Sequence, residues 1–466
     1  MKQIELNNDL LVKIGSIADR GRVEAYVVGG YVRDRLLGKE VTDIDIVVVG
    51  DGVAFARAVA KEFNSNVVVF EKFGTAMLPL DQGKIEFVTA RSESYAPESR
   101  KPSVSPATLE SDLTRRDFTV NTLAASLNRA RWGELVDRFG GELDMASKLL
   151  RTPLDPEKTF DDDPLRMMRA VRFASQLQFE IDPAAFEAIR AMAKRITIVS
   201  QERVTDEFMK ILASPLPSVG LKLLHSTGLA KFVFPELVDL VGVEQRKDYH
   251  HKDVFLHTLK VVDNICQETD DVWLRFVALV HDIAKPRTKA FKEGIGWTFH
   301  GHEDLGARMM KSIFRRMRLP MEKLPYVEKL VRLHLRPMVL VSEEVTDSAI
   351  RRLLFESGEE IDHLMILCRA DITSQNSQKV ARFLKNYDIV MEKMREVEEK
   401  DRLRNWQPPV RGEEIMLVCG LGPGVLVGIL KTKIEEAILE GIIPNEHAAA
   451  LAFLIQIKDQ VIKEHS

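Results

Sequence analysis

The sequence predicts an α+β head of about 150 residues followed by a long, all-helical body. Three observations predict it. Short β-branched runs alternate with helical stretches up to residue 150. After Asp161 the strand signal almost vanishes. From Pro164 onward apolar residues recur three and four apart, as at Leu165, Met168, Val171 and Phe173.

In chain order, residues 25–28, 44–49, 66–70 and 85–88 read as strands, and 32–37 and 53–62 as helices. Turn signals at Gly29-Gly30, Gly38, Gly50-Asp51-Gly52 and Asp81-Gln82-Gly83 separate them. Prolines at 215, 217, 235, 408 and 409 mark joints between helical modules. The expected division is a head over 1–150, a helical neck over 151–215, a helical body over 216–375 and a helical tail over 376–466.

At 466 residues, 45% hydrophobic and 29% charged, the composition is that of a globular protein of two to four domains. The net charge of −4 provides no global field for nucleic acid, so any RNA contact must use a local basic surface. Cys266, Cys368 and Cys419 lie far apart and form no CxxC pair, which argues against a disulfide framework or a thiolate zinc site. No apolar run approaches the roughly 18 residues of a spanning helix. The first ten residues also lack a signal-peptide layout, and the expected home is the cytoplasm.

The densest chemistry lies in Val27-Val28-Gly29-Gly30-Tyr31-Val32-Arg33-Asp34, followed by Asp43-Ile44-Asp45. Gly29 and Gly30 stand between a strand and a helix, where backbone N–H groups can approach a triphosphate. Arg33 in the helix's first turns can clamp phosphate oxygens. Asp43 and Asp45, two apart on one strand, project from one face and suit Mg²⁺, with Glu86 on a later strand as a third carboxylate.

VGGYVRDRLLG followed by TDIDIVVVG resembles the signature of class II CCA-adding enzymes and bacterial poly(A) polymerases, of the polymerase β-like nucleotidyltransferase superfamily. The likeness continues through Asp112-Leu113-Thr114-Arg115-Arg116-Asp117-Phe118-Thr119-Val120-Asn121. It resumes at Asp162-Asp163-Pro164-Leu165-Arg166-Met167-Met168-Arg169-Ala170-Val171-Arg172-Phe173 and at Glu202-Arg203 with Glu207. The resemblance implies a polymerase β-like head that adds C, C and A from CTP and ATP to the 3′ end of tRNA, using Mg²⁺ at Asp43 and Asp45. It also implies nucleotide contacts from Gly29, Gly30, Arg33, Arg116, Asp117, Arg169 and Arg172, and a tail that contacts tRNA.

The segment 163–172, read as a helix, places Asp163 and Arg166 on one face. Adenine and cytosine each present an amino donor beside a ring-nitrogen acceptor, whereas guanine and uracil present the reverse. A carboxylate with a guanidinium therefore matches A and C and rejects G and U. The family's motif is usually Glu-Asp-x-x-Arg; here Asp162 replaces the leading Glu, and the base-reading pair is intact. Arg203 and Glu207 read as supports for this helix.

Further along stand His257, His281-Asp282, His300, His302, His334 and Asp371. The His-Asp doublet follows an apolar run at 276–280, and a buried charge there calls for a partner or a metal. HTLKVVDN, LVHDIAKP and RADITS resemble the HD phosphohydrolase superfamily over about residues 250–375. The resemblance implies a transition-metal site at His257, His281, Asp282 and Asp371, with Lys285 as a basic neighbour and His300 and His302 as added contacts.

Poly(A) synthesis, partial addition of CC or A, and metal-dependent phosphoester hydrolysis remain open alternatives. A uridylyltransferase has a different glycine motif, and an alarmone synthetase-hydrolase has the opposite domain order. An RNA-binding protein with an inactive head would not need Asp43, Asp45, Arg116, Asp163 and Arg166 together.

Overall fold

The computed structural model describes residues 2–70, 74–80, 83–96, 99–244, 253–294, 296–342, 346–374, 376–401 and 408–465. The chain divides into two compact units, Met1–Pro235 and Glu236–Ser466.

The first unit opens with a seven-stranded mixed sheet. Its strands are β1 (Glu24–Val28), β2 (Ile44–Val49), β3 (Val68–Phe70), β4 (Thr75–Pro79) and β5 (Lys84–Thr89), with β8 (Ala124–Ser126) and β9 (Leu135–Val136). Between them runs a separate hairpin, β6 (Arg91–Ala96) and β7 (Ser99–Pro106). The sheet order is β3-β4-β5-β2-β1-β8-β9. β2 and β5 pair parallel, while β1 pairs antiparallel with both β2 and β8.

Alternation along the strands makes two apolar faces. One carries Tyr26, Val28, Val47 and Ala124 and packs on Leu109 and Leu113 of helix Leu109–Thr114. On the other, Phe87 meets Phe55 of helix Gly52–Glu62 edge-on at 5.8 Å. Asp51 starts that helix by accepting from the N–H groups of Val53 and Ala54.

The expected strands at 25–28, 44–49 and 85–88 are present within one residue at either end, whereas the one expected over 66–70 begins only at Val68. The β6–β7 hairpin, β8 and β9 were not foreseen. Asp43 was expected on a strand but lies just before β2, exposed.

Beyond the head, helices Pro156–Asp162, Leu165–Leu177, Pro183–Met192, Gln201–Leu212 and Pro217–Ser226 follow. Leu165–Leu177 buries Met168, Val171 and Phe173, as the periodicity required. Gly220 permits a close approach of its neighbours: a Cβ there would lie 2.5 Å from Ile211 and 3.2 Å from Ser175.

The second unit is helical among its described residues, apart from one short hairpin at Ala290–Lys292 and Gly296–Thr298 and an isolated bridge. Its principal helices are Val254–Ile265, Val272–Val280, His302–Met317, Leu324–Leu333, Asp347–Ser357 and Ile361–Ala370, then Ser377–Asp401. Helices Gly412–Cys419, Val425–Leu439 and His447–His465 form a core of their own around Ile415, Leu430, Ile434, Ala450 and Leu454. No helix among the described residues is long and apolar enough to cross a membrane. All three cysteines are free.

Candidate nucleotidyl-transfer site and candidate metal centre

β1 ends at Val28 and Gly29 follows it, with a φ of +67° that is open to glycine at little cost. A Cβ at Gly29 would also come within 2.9 Å of Arg116 Nη1, so the missing side chain lets Arg116 lie against the turn. Gly30 begins helix Gly30–Leu36, and Arg33 is buried within it. Arg33 donates from Nε and Nη2 to the Asp34 carboxylate at 2.8 and 2.7 Å, and from Nη1 to Asn121 Oδ1 at 2.6 Å. In this structure its donors face those partners.

Asp45 alternates with Val47 on β2, and so projects on the face covered by helix Leu109–Thr114. The parallel register places Glu86 of β5 directly beside it. Residues directly paired across two strands project to the same side, which makes this carboxylate pair a consequence of sheet register. Burial pushes the Asp45 carboxyl up, Arg116 opposes the shift, and Glu86 and Asp43 add to it. Carboxylates crowded in this way fit a divalent oxygen-seeking cation.

Asp112 was read only as part of a motif, and no role was given to it. It is fully buried and holds both neighbouring arginines. Its Oδ1 accepts from Arg115 Nε and Nη2 at 3.1 and 2.5 Å, and its Oδ2 from Arg116 Nη2 at 3.1 Å. Burial pushes its carboxyl up, but the Arg116 and Arg115 guanidiniums hold it below the usual value. Its i, i+3 and i, i+4 spacing to two arginines was the available signal.

Asp117 is a second hub. Its Oδ1 accepts from Asn121 Nδ2 at 3.0 Å, and its Oδ2 from Arg169 Nε at 2.7 Å. Against the upward push of burial, Arg169 and Asn121 bring this carboxyl down to about 2. Arg172 pairs with Glu207 at 2.8 Å. The guanidiniums of Arg33, Arg169 and Arg172 all lie against the Phe173 ring, at 5.2, 5.2 and 4.2 Å from its centroid.

Asp163 was expected within the helix that carries Arg166. It stands instead in extended backbone before Leu165–Leu177, because Pro164 separates two helices there. Its Oδ1 accepts from Leu165 N at 3.1 Å, and its Oδ2 pairs with Arg203 at 3.2 Å. Arg166 donates to the Arg115 carbonyl at 2.6 Å and the Thr159 carbonyl at 3.2 Å.

In the second unit, four imidazoles converge on two carboxylates. His257 Nε2 lies 2.8 Å from Asp371 Oδ1 and 3.5 Å from Asp282 Oδ2. His281 Nε2 lies 3.2 Å from Asp282 Oδ2, and His302 Nε2 lies 3.3 Å from Asp282 Oδ1. His334 Nε2 is 3.3 Å from His302 Nε2.

One device orients three of these rings. The Nδ1 atoms of His281, His302 and His334 each meet the carbonyl three residues earlier, at Ala278, Phe299 and Val331, at 2.7 to 2.8 Å. Nε2 is thereby left as the inward ligand atom. The donors form two triads, His257/His281/Asp371 and Asp282/His302/His334.

His281 Nε2 is buried with no hydrogen-bond partner, which fits a ligand atom. Burial pushes His281 down, but Asp282 and Asp371 raise it to about 10. Burial and neighbouring His281 drive His334 to about 3. The Asp282 and Asp371 carboxylates that raise His281 supply a negative potential that a divalent cation would also feel. Lys285 Nζ lies 2.6 Å from Asp282 Oδ2. His302 joins the cluster whereas exposed His300 belongs to neither triad, and His334 had been given no role.

The family model described as the poly A polymerase head domain matches residues 25–151, and that described as the HD domain matches 250–376. The chain is 32% identical to an A-adding tRNA nucleotidyltransferase of Deinococcus radiodurans over 427 residues, covering 89% of this chain and 91% of that protein. It is 31% identical to a CC-adding tRNA nucleotidyltransferase of Thermus thermophilus, covering 93% of each. Its fold resembles that of the Bacillus stearothermophilus CCA-adding enzyme in complex with CTP, with a TM-score of 0.70, 22% identity and coverage of 99% of this chain and all of that one. The chain belongs to the tRNA nucleotidyltransferase/poly(A) polymerase family, with an HD domain in its second unit.

Proposed function

We propose that the first unit transfers CMP, CMP and AMP in turn from CTP and ATP to the 3′ end of tRNA. The observation that carries this reading is the pairing of Asp45 with Glu86 in register across β2 and β5, beside Arg116 and the Gly29-Gly30 turn. Asp43, Asp45 and Glu86 would hold Mg²⁺, which supplies charge neutralisation at the triphosphate and favours ionisation of the attacking hydroxyl.

The RNA 3′-oxygen bonds to the α-phosphorus, the bond from that phosphorus to the bridging oxygen breaks, and diphosphate leaves. Gly29, Gly30, Arg33 and Arg116 face the triphosphate. For Arg33 this entails exchanging part of its hold on Asp34 and Asn121 for phosphate oxygens. Asp163 and Arg166 read the amino group and ring nitrogen of C or A. Asp117, Arg169 and Arg172, packed on Phe173, hold the nucleotide's place on this helix. The domain plan in this reading is a head over 1–150, a base-reading neck over 151–215, a body over 216–375 and an RNA-contacting tail over 376–466.

Partial addition has its own support. Relatives covering most of the chain carry the names A-adding and CC-adding, and others are called multifunctional CCA proteins. The test is to incubate the chain with Mg²⁺, each NTP and tRNA ending before C, after C or after CC. Extension that stops after CCA is expected. Addition of A alone to the CC end would restrict the activity to the last step, and a long A tract on any RNA would replace this reading with poly(A) synthesis.

The second unit is proposed to hydrolyse phosphate esters. Its two triads would hold one divalent cation each, and such ions supply a nucleophilic water and stabilise the leaving oxygen. Water's oxygen bonds to phosphorus while the ester P–O bond breaks, and the leaving oxygen takes up a proton. Lys285 contributes positive charge at that phosphate.

A further inference from the structure

Helix Leu165–Leu177 buries Leu165, Met168, Val171 and Phe173, and its periodicity alone would accept a leucine at the last of these positions. Phe173 has surroundings that a core position does not require. Three guanidiniums lie against its ring: Arg172 at 4.2 Å from the centroid, and Arg33 and Arg169 at 5.2 Å each. Arg169 and Arg172 belong to its own helix, whereas Arg33 comes from helix Gly30–Leu36 of the head. The Phe118 ring, next to Asp117 in sequence, stands nearly perpendicular to it at 5.9 Å and 83°. One side chain thus joins the helix after the glycine turn, the segment of Arg116 and Asp117, and the helix that carries Arg166.

Three like charges do not gather unaided. Burial is the first cause that holds Arg172 below the ordinary arginine range, and Arg169 and Arg33 push the same way against Glu207. Acids offset the repulsion in the free chain: Arg33 meets Asp34 at 2.7 Å, Arg169 meets Asp117 at 2.6 Å and Arg172 meets Glu207 at 2.8 Å. Each of these pairs occupies N–H donors on the guanidinium, and a phosphate needs those same donors. A ring face holds a cation through its quadrupole and takes no donor. The Arg33 and Arg172 side chains keep only 9% and 12% of their exposure, and a cation is held over a ring more firmly in such dry surroundings than in water. An arginine can therefore turn its donors from acid to phosphate while its contact with the ring persists.

We infer that Phe173 is a positioning residue of the transfer site: the electron density of its ring, rather than its bulk, keeps Arg33, Arg169 and Arg172 converged where the triphosphate binds. The inference rests on the nucleotide site proposed above and deepens it, because nucleotide affinity then depends on a side chain that touches no nucleotide atom.

The probe is CTP with Mg²⁺, titrated calorimetrically into the full chain with mono-, di- or trifluorinated phenylalanine in place of Phe173. Fluorine draws electron density from the ring face and leaves the side chain close to its native size, so packing is nearly constant along the series. The Kd for CTP is expected to weaken with each fluorine and to reach about tenfold in the trifluorinated chain, the scale of a desolvated cation–ring contact. Phe173→Leu, which keeps an apolar side chain and removes the ring, is expected to weaken binding at least as much. In tRNA extension the KM for CTP should rise in step while kcat stays within about twofold.

A Kd unchanged along the fluorinated series overturns the inference, even where Phe173→Leu weakens binding, because the ring would then act by packing alone. Should Phe173→Leu fail to fold, the fluorinated chains decide by themselves. Failure of the underlying reading looks different: a wild-type chain that binds no CTP with Mg²⁺ and extends no tRNA removes the nucleotide site itself, and the inference with it.

Discussion

Replacing Asp112 with Asn tests whether the transfer site is held together from behind. The change keeps the side chain's volume and removes one buried charge. Asp112 has no exposed surface, whereas Arg115 and Arg116 retain 20% and 18% of theirs. Breaking a buried ion pair from one side costs about 3–5 kcal/mol, and partial solvation of both arginines points to the lower end, about 3 kcal/mol. For a unit of this size that corresponds to a fall of roughly 6–12 °C in unfolding midpoint, which leaves it folded at room temperature. Arg116 would then swing from the Gly29 turn, and the Arg115 carbonyl that takes Arg166 would lose its anchor. The expected kinetic result is a rise in KM for CTP and ATP of about tenfold, the equivalent of one weakened charge-assisted contact. Calorimetry of the full chain should show the first unit's transition moving and the second's unchanged. A midpoint within about 2 °C of wild type together with an unchanged KM would refute the positioning role.

Asp45→Ala should abolish nucleotidyl transfer while leaving the midpoint near wild type, and full activity in a tRNA extension assay would contradict the carboxylate assignment. Arg166→Ala should lower the preference for CTP and ATP over GTP and UTP by about tenfold, because a mispaired base edge then leaves fewer buried groups unsatisfied; an unchanged preference would remove Arg166 from base reading. His281→Ala should leave tRNA extension intact and abolish phosphate-ester hydrolysis, checked by running both assays on one preparation. Asp117 supplies a pH prediction. With its carboxyl at about 2 when folded and the usual 3.8 when unfolded, it stabilises the fold above about pH 4, and that contribution is lost as pH falls through 2. Asp117→Asn should therefore lose about 2 kcal/mol at pH 7 and progressively less below pH 4, measured by denaturant titration. A difference that stays constant across that range would mean Asp117 acts without its charge.

The head was legible where local pattern sufficed. The β-branched runs and glycine turns gave β1, β2 and β5 and placed Gly29, Gly30 and Asp45. Two kinds of fact lay beyond local pattern. Glu86 stood as a candidate with no local support, because its place beside Asp45 is set by which strands pair and in what register. The β6–β7 hairpin was not foreseen because Arg91–Ala96 and Ser99–Pro106 are polar, with prolines where strand signals are sought. Asp163 was misplaced by treating 163–172 as one helix, although Pro164 disfavours helical backbone at the residue before it. His334 gave no separable signal: its role depends on helix Leu324–Leu333 ending against His302.

Charge arrangement explains how a chain of net charge −4 can attract a polyanion. Lys311, Arg315, Arg316, Arg318, Lys323, Lys329, Arg332 and Arg336 form a basic stretch, which on sequence is the best candidate for an RNA-contacting surface in the body. Four of its cations face acids: Arg316 grips Glu236 at 2.7 and 2.6 Å, Lys329 meets Glu360 at 2.7 Å, and Arg332 and Arg336 approach Asp304 and Glu356 at 3.4 and 3.8 Å. Such pairs cancel much of each other's field at a distance of a Debye length. In the first unit Arg33, Arg169 and Arg172 are paired in the same way, with Asp34, Asp117 and Glu207 at 2.7, 2.6 and 2.8 Å. Arg166 differs, because two carbonyl oxygens fix it and these orient a guanidinium without neutralising it. The positive charge of Arg166 is thus kept where the base is proposed to be read, while the paired arginines around it are largely compensated. A local field of this kind attracts a nucleotide without making the whole surface adhesive to RNA.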